Sequence, residues 1–463
     1  MRIIILGAGR VGESVAESLV SEANDITVVD TDPDRLAQLQ DRLDLRTVTG
    51  NATHPTVLQQ AGAEDADMLI ATAARDETNM VACQIAARVF NVPRRIARVR
   101  APEFQDHPEI TGEGGFYVDH IICPEQTVCD YIFKLIEFPE ALQVLEFASG
   151  SASLIAVRAY AGGALVEHPI SELRKYHPKV DMRIVAIFRD DRSITPDGDT
   201  RIQDGDEVFL LAASEHIRTA LADSRRMDKP VRRIMIAGGG NIGLRLARAL
   251  GGRYEVKLIE SRSRRCEYLA SQLPSSTLVL NGDSTDEEML AEEGVGDMDL
   301  FIALTDDDEN NIMACMLARR MGARRVIALI NRKAYAELML GSNIDIAIVP
   351  AQTTIGQLLA HVRRGDVGAV HSLRRGAAEA IELIAHGDSR SSQVVGRRIE
   401  ELELPRGATI GAIVRESEAG KPEVLIAHHD TVIAPDDHVI MFLENKSSIA
   451  KVEKLFQVGV RFF

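Results

Sequence analysis

The chain has 463 residues, with 53 Lys and Arg against 69 Asp and Glu, which gives a formal net charge of −16. This length corresponds to about three typical domains, so we expect several separate cores. The acidic balance disfavours nucleic acid as a partner, because affinity for a phosphate backbone comes from Lys and Arg. Every apolar run is shorter than the roughly 18 residues that span a bilayer. The five cysteines are irregularly spaced and match neither a disulfide framework nor a zinc site, so we expect a reducing compartment and no bound metal.

Short apolar runs alternate with stretches of helical period in the first part of the chain. This alternation predicts an α/β fold, with a parallel, Rossmann-like sheet and crossover helices. The predicted strands are residues 3–6, 26–29, 46–48, 68–71 and 96–99. A smaller α+β module is expected to follow, with strands at 143–147, 154–158, 184–188 and 208–211 between Gly, Pro and Asp turns.

The sequence contains an internal duplication. The motif Gly7-Ala8-Gly9-Arg10-Val11-Gly12 recurs 231 positions later as Gly238-Gly239-Gly240-Asn241-Ile242-Gly243. Further matches extend through both the Rossmann-like part and the smaller module, so the order is A-B-A′-B′. We therefore expect Rossmann-like nucleotide-binding domains at 1–138 and 232–364, small α+β domains at 139–223 and 365–458, and a polar linker at 224–231.

Each glycine motif has the context that a dinucleotide site needs: a strand before it, a helix after it and an acid about 20 residues later. The first glycine permits a tight turn, the second leaves room for a diphosphate, and the third lets the helix pack on the strand. The candidate nucleotide contacts of the first copy are Gly7, Gly9, Arg10, Val11, Gly12, Asp30, Asn51, Thr53 and Arg98. Those of the second copy are Gly238, Gly240, Asn241, Ile242, Gly243, Glu260 and Asp283.

Asp30 and Glu260 each end a second predicted strand, where a carboxylate accepts ribose hydroxyls and repels a 2′-phosphate. The sequence thus favours NAD(H) or adenine nucleotides over NADP(H). An alternative is that one copy keeps its glycines for packing alone. This applies more to the second copy, where Asn241 replaces Arg10.

Acidic residues follow the fourth strand of each copy, at Asp76-Glu77 and at 306–309. They are expected either to line the ligand pocket or to act as helix N-caps. Arg98 is either a phosphate contact or part of a surface ion pair. The signatures of several enzyme classes, including Tyr-x-x-x-Lys and Walker A, do not occur, so no catalytic residue is assigned.

The tandem order and the segments Ile3-Ile4-Ile5-Leu6-Gly7-Ala8-Gly9-Arg10-Val11-Gly12 and Asp76-Glu77-Thr78-Asn79-Met80-Val81-Ala82-Cys83 resemble the RCK (regulator of potassium conductance) family of bacterial Trk potassium uptake systems. The resemblance implies two RCK-N Rossmann-like domains, each followed by an RCK-C domain. It further implies a cytoplasmic subunit, peripheral on the inner membrane, that forms a ring, expected to be a homotetramer. Such a ring gates a separate Trk-type potassium-transporting membrane protein in response to NAD(H) and ATP or ADP. Glu125, which follows Pro124, occupies a position that related proteins place near a subunit boundary.

Two points stay open at this level. A cytoplasmic NAD-dependent dehydrogenase with a fused regulatory half is the alternative function. The helical segments 125–138 and 352–362 are expected either to join neighbouring subunits or to close their own core, through residues such as Val128, Ile132 and Leu135.

Overall fold

A computed structural model describes residues 1–20, 24–163, 166, 168–172, 181–190, 192–222, 230–339, 342–363, 366–373, 378–417, 420–445 and 448–458. The fold divides into two compact units. Residues 1–129 and 235–358 form one, which we call the Rossmann unit; residues 130–234 and 359–463 form the other, the antiparallel unit. Each unit therefore combines equivalent parts of the two repeats, and most of the expected linker, residues 224–229, lies outside the described residues.

The first sheet of the Rossmann unit is parallel, with strand order β3-β2-β1-β4-β5-β6. Its strands are β1 (Arg2–Leu6), β2 (Asp25–Asp30), β3 (Arg46–Thr49), β4 (Met68–Ala71), β5 (Arg94–Arg98) and β6 (His120–Ile122). Its helices are α1 (Arg10–Val20), α2 (Pro33–Gln40), α3 (Pro55–Gln60), α4 (Asp76–Phe90), α5 (Pro102–Gln105), α6 (Pro108–Thr111) and α7 (Pro124–Glu137). The five predicted strands are present, whereas the three-residue β6 is too short to give a periodic signal.

An antiparallel sheet follows, with order β10-β9-β11-β8-β7. It consists of β7 (Ala141–Phe147), β8 (Ala152–Arg158), β9 (Met182–Arg189), β10 (Arg192–Ile194) and β11 (Glu207–Ala213), and helix α8 (Ser214–Ala222) comes after it. The four predicted strands of the small module are among these five.

The second repeat has the same two topologies. Its Rossmann sheet has order β14-β13-β12-β15-β16-β17. The strands are β12 (Arg233–Ala237), β13 (Glu255–Glu260), β14 (Thr277–Asn281), β15 (Leu300–Ala303), β16 (Val326–Leu329) and β17 (Ile346–Ile348). The helices are α9 (Asn241–Leu250), α10 (Ser263–Gln272), α11 (Glu287–Glu292), α12 (Asp308–Arg320), α13 (Lys333–Leu338) and α14 (Pro350–Val362).

The last sheet is antiparallel, with order β18-β19-β22-β20-β21. It contains β18 (Val367–Leu373), β19 (Ala378–Ala385), β20 (Ala408–Glu416), β21 (Pro422–Ile426) and β22 (Asp437–Leu443), and α15 (Ile449–Phe456) follows it. The duplication inferred from the sequence is thus a duplication of folds.

The two antiparallel sheets share one apolar core. Phe147, Phe188 and Phe209 of the first sheet cluster with Leu373 and Phe442 of the second. The sheets approach closely at Gly411, where an added Cβ would lie 2.6 Å from Leu211 Cδ2. Burial of these large side chains against each other stabilises the unit, since each contributes about 1.5–3 kcal/mol.

An ion pair between a partly exposed arginine and a buried aspartate occurs at the same place in both antiparallel sheets. Arg189 donates to the two oxygens of Asp206 at 2.8 Å, and Arg415 donates to those of Asp437 at 2.7 Å. Both aspartates are fully buried. Asp206 and Asp437 lie 231 positions apart, the offset of the duplication, and both have this structural role.

Helix α7 has a buried apolar face. Val128, Ile132, Leu135 and Ile136 are all buried within the single chain, which favours packing inside the chain; contact with a neighbouring subunit stays a prediction. Cys83 is buried in α4, and burial raises the pKa of its thiol to about 12. Across the described residues, no helix combines the length and apolar character that crossing a bilayer requires.

Candidate nucleotide sites

The first glycine loop connects β1 to α1 and has the geometry of a phosphate cradle. Gly7 has a φ of +99°, and a Cβ there would lie 3.0 Å from the backbone of Ala73. A Cβ added at Gly9 would meet nothing within 4 Å, so that face of the loop is open. At Gly12 a Cβ would lie 1.8 Å from the Gly7 carbonyl oxygen. Gly12 therefore permits close packing of α1 on the loop itself, not on the strand as expected.

The second loop, between β12 and α9, repeats this geometry. Gly238 has a φ of +109°, Gly240 is open on the same side, and a Cβ at Gly243 would lie 1.9 Å from the Gly238 carbonyl oxygen. Both loops present their open face at a helix N-terminus, where N–H groups and the helix dipole favour a phosphate. The residues present thus fit a bound diphosphate in either copy.

The strand-end carboxylates face different neighbours in the two copies. Asp30 accepts hydrogen bonds from the backbone N–H groups of Ala8 at 2.6 Å and Asp32 at 2.9 Å. Glu260 accepts from the N–H groups of Gly239 at 3.1 Å and Arg262 at 3.0 Å, and also from Arg262 Nε at 3.0 Å. Burial alone would raise the pKa of Glu260, but the hydrogen bonds and charge of Arg262 outweigh burial and lower it. The sequence analysis did not identify Arg262 as a site residue, although it lies only two positions after Glu260.

The acids after the fourth strand of each copy make different hydrogen bonds. Asp76 lies at the start of α4 and accepts from the backbone N–H groups of Arg100 at 2.8 Å and Ala101 at 2.9 Å. Asp308 makes the equivalent bonds to Asn331 and Arg332 at 2.8 Å. Both acids therefore tie the next loop to the helix. Asp307 is the helix N-cap that the sequence predicted as one option, since it accepts from Asn310 N at 2.8 Å.

The buried amides Asn79 and Asn311 lock the sheet edge in both copies. Each donates to the carbonyl oxygen that ends the fifth strand, Arg98 at 2.9 Å and Leu329 at 2.8 Å. This contact also shows that Arg98 and Leu329 are equivalent positions. Arg98 Nη2 donates to Glu125 Oε1 at 2.7 Å, whereas the second copy has Leu329 and Ala351 there.

Both glycine loops open into one cavity of about 1200 Å³ within the Rossmann unit. Most of the predicted contacts line it: Gly7, Gly9, Arg10, Val11, Asp30, Asn51, Arg98, Gly238, Gly240, Asn241, Ile242, Glu260 and Asp283. Three predicted contacts are not on its wall. Gly12 and Gly243 lie behind the loops, and Thr53 binds the side chain of Asn51 at 2.9 Å. The cavity is also lined by Glu125, Arg262 and Arg265. Asp306 and Asp307 line it as well, so the expectation that acids after the fourth strand line the pocket is confirmed for these two.

Polar contacts connect the two halves of the Rossmann unit beside the cavity. Arg245 of α9 donates to Gln126 Oε1 at 3.1 Å and to the carbonyl oxygen of Arg100. Thr127 Oγ1 donates to Gln357 Oε1 at 3.1 Å. Among the described residues, no group of three or more His, Cys, Asp or Glu side chains is placed to hold a metal ion.

Two Rossmann domains with open glycine loops, each followed by an antiparallel module, define a tandem nucleotide-domain protein. Models of the TrkA-N domain match residues 3–124 and 234–350, and models of the TrkA-C domain match residues 154–223 and 389–457. The chain belongs to the TrkA family. It is similar to the Trk system potassium uptake protein TrkA of Vibrio alginolyticus, with 55% identity over 458 residues and 99% of each chain covered. The protein of the same name from Halomonas elongata is 54% identical over 463 residues, with both chains fully covered.

Solved structures with the same fold include the "GsuK RCK domain", which has a TM-score of 0.62 and 18% identity and covers 98% of this chain and 94% of that one. The "GsuK channel bound to NAD" has a TM-score of 0.62 and 17% identity, and the match covers 98% of this chain and 78% of that chain. The predicted tandem RCK organisation is confirmed. The relatives matched over their full length are named as potassium uptake proteins, which supports the expectation of a non-enzyme and disfavours the dehydrogenase alternative.

Proposed function

We propose that this protein is the nucleotide-sensing regulatory subunit of a Trk-type potassium uptake system. It acts in the cytoplasm, peripherally on the inner membrane, as a homotetrameric ring on a separate potassium-transporting membrane protein. NAD(H) and ATP or ADP bind the glycine loops and change the state of the ring. Membership of the TrkA family supports the connection to potassium uptake.

The observation that carries this proposal is the shared cavity. Both glycine loops open into it, and its wall combines residues of the two Rossmann halves. A nucleotide in such a place binds most tightly to one arrangement of the halves, so it shifts the population toward that arrangement. The extent of the shift is limited by the difference in affinity between the two arrangements. Nucleotide binding can thus be converted into a movement that a transporter senses.

The expected ligands follow from the loops and the strand-end acids. The open faces at Gly9 and Gly240 suit a diphosphate, which NAD(H), ATP and ADP share. Asp30 suits the ribose hydroxyls of the first site. Structures of the same fold are titled as bound to NAD and to ADP, which supports both ligand types here.

The binding test uses calorimetric titration of NADH, NAD, ATP and ADP into the full-length protein and into Gly9→Ala and Gly240→Ala. A methyl group at either position contacts no protein atom within 4 Å but occupies the face meant for the diphosphate. We expect each variant to lose its own share of binding while melting at the wild-type temperature. Gly198→Ala is the matched control, since its Cβ would make an ordinary 3.6 Å contact away from the loops.

The functional test measures potassium-limited growth of a strain that lacks its own TrkA-type protein. The wild-type chain should restore growth. The double variant Gly9→Ala/Gly240→Ala should also restore growth, but its potassium uptake should no longer change with the cellular level of nucleotide. Light scattering of the purified protein should give the mass of four chains. Nucleotide binding that survives both glycine substitutions would show that the sites are elsewhere and would overturn the proposal.

A further inference from the structure

The segment after the second strand carries opposite charge in the two Rossmann domains. In the first, residues 30–35 contain three carboxylates and one guanidinium; in the second, residues 260–265 contain one carboxylate and three guanidiniums. In the first, Arg35 Nε lies 3.2 Å from Asp32 Oδ2. At the same edge of a Rossmann site, a carboxylate selects ribose hydroxyls and an arginine accommodates a 2′-phosphate.

Both kinds of charge at the second edge line the cavity, but they differ in exposure. The Glu260 side chain is 6% exposed and accepts hydrogen bonds from Gly239 N and Arg262 Nε. The Arg262 side chain, by contrast, is 72% exposed. Arg262 and Arg265 both line the cavity. Glu260 lines the cavity too, but its carboxylate is buried and hydrogen-bonded, while Arg262 and Arg265 add two positive charges to the same wall.

Arg265 is held in place at this edge. Its Nε donates to the Gly239 carbonyl oxygen at 2.9 Å, and its guanidinium lies over the ring of Tyr268 at 4.7 Å. These contacts fix the guanidinium of Arg265 beside the second glycine loop, on the cavity wall. Planar guanidiniums with a fixed orientation are well suited to bind a phosphate at two oxygens.

We propose that the second nucleotide site binds an adenine dinucleotide that carries a phosphate on its adenosine 2′ position, as NADP(H) does, with Arg262 and Arg265 as its ligands. The first site, with Asp30, Asp32 and Asp34 at the same edge, takes the unphosphorylated ribose. This inference rests on the proposed function, since it assumes that both loops bind nucleotides. One chain then senses two dinucleotide pools at its two sites.

The test compares ligands that differ in where they carry phosphate. NADPH and NADH are titrated into the full-length protein, and adenosine 2′,5′-bisphosphate is compared with ADP, which has the same number of phosphoryl groups. We expect Arg262→Ser and Arg265→Ser each to weaken NADPH binding about tenfold or more, the usual effect of losing a charged hydrogen bond. NADH binding should change by less than about threefold. Arg253→Ser, an exposed arginine of the same domain outside the cavity wall, is the matched control.

The outcomes separate this inference from the proposed function. If NADPH binding is lost in Gly240→Ala and retained in Gly9→Ala, the second site is the one that takes the 2′-phosphate. If NADH binds to both loops and NADPH shows no dependence on Arg262 or Arg265, the inference fails and the proposed function stands. If none of the four ligands binds the wild-type protein, both fail.

Discussion

The Rossmann unit and the antiparallel unit are both built from two copies of one fold, yet the copies are joined in opposite ways. In the antiparallel unit, aromatic and aliphatic side chains of the two sheets merge into one core. In the Rossmann unit, each sheet has its own core, and the copies meet around a polar cavity with a few hydrogen bonds beside it. Duplication has thus produced one pair joined by a shared apolar core, which we call the closed pair, and one pair that meets around a polar cavity. We call the second the adjustable pair, because the proposed nucleotide binding would act there.

The largest effect is expected when an aromatic ring is removed from the shared core of the two antiparallel sheets. Phe209 is fully buried, and its ring centroid lies 5.6 Å from that of Phe188 in an edge-on arrangement. We expect Phe209→Ala to lower the free energy of unfolding by about 3–5 kcal/mol, because a large cavity forms in a core that cannot collapse. Urea unfolding followed by circular dichroism measures this.

The control for this variant is Val432→Ala, which shortens an apolar side chain that is 45% exposed. It should change the free energy of unfolding by less than about 0.5 kcal/mol. Equal effects of the two substitutions would mean that the sheets are not held by the shared core.

A smaller effect is expected from the ion pair of Arg189 and Asp206 in the closed pair. Burial raises the pKa of Asp206, but the hydrogen bonds and charge of Arg189 outweigh burial and lower it. A lowered pKa means that the pair stabilises the fold above the ordinary carboxyl pKa, and that this stabilisation is lost as the pH falls through the folded-state value. Asp206→Asn should therefore cost about 1–3 kcal/mol at pH 7.

The same variant should lose less stability than the wild type on acidification from pH 5 to pH 3. Asp437→Asn is the internal comparison, because Asp437 makes the same bidentate pair with Arg415 in the second sheet. A wild-type acid profile in both variants would show that these pairs do not contribute.

The adjustable pair is tested by Arg245→Ala, which removes hydrogen bonds between the Rossmann halves. We expect the free energy of unfolding to fall by about 1 kcal/mol, the typical value of such bonds. The larger effect is expected on the coupling between the two sites. In the variant, NADH bound at one site should change the affinity of the other site by less than it does in the wild type. Arg248→Ala, on the same helix, is the control, since Arg248 reaches Gln272 of its own domain at 3.4 Å.

The smallest effects are expected from two histidines of the antiparallel unit. Burial lowers the pKa of His371, so the unfolded chain takes up a proton first and stability falls as the pH drops below about 6.5. A hydrogen bond to Asp366 is the main cause that raises the pKa of His386, with Asp436 adding to it, so its contribution is present at low pH and is lost as the pH rises. Thermal unfolding between pH 8 and pH 5 should show opposite slope changes in His371→Gln and His386→Gln.

Most of the fold was predictable because its signals are local and repeated. The parallel strands are buried on both faces and read as continuous apolar runs, as Ile3 to Leu6 show. The pairing of like domains was not predictable, because it depends on contacts between residues more than 200 positions apart, such as Ala148 N with Glu382 Oε2 at 2.7 Å.

The candidate site was predictable to the extent that it depends on the backbone. Glycines reveal positions that need a positive φ or an open face, and Gly7 and Gly9 are examples. The role of Asp76 was not readable, since an acid after a strand has the same sequence whether it faces a ligand or binds the next loop. The opposite charge around Asp32 and Arg262 was visible in the sequence, and a residue-by-residue comparison of the two copies would have found it.

The division of the chain also governs the order in which the protein can fold. Each unit is assembled from two separated segments, and the Rossmann unit is complete only when residue 358 has been made. Residues 1–129 are therefore synthesised before the segment that completes their unit exists. Such long-range closure slows folding and leaves the first half-cavity exposed in the nascent chain. We expect a chain interrupted after the first repeat to expose the apolar face of its antiparallel sheet, which the second repeat covers in the full-length protein.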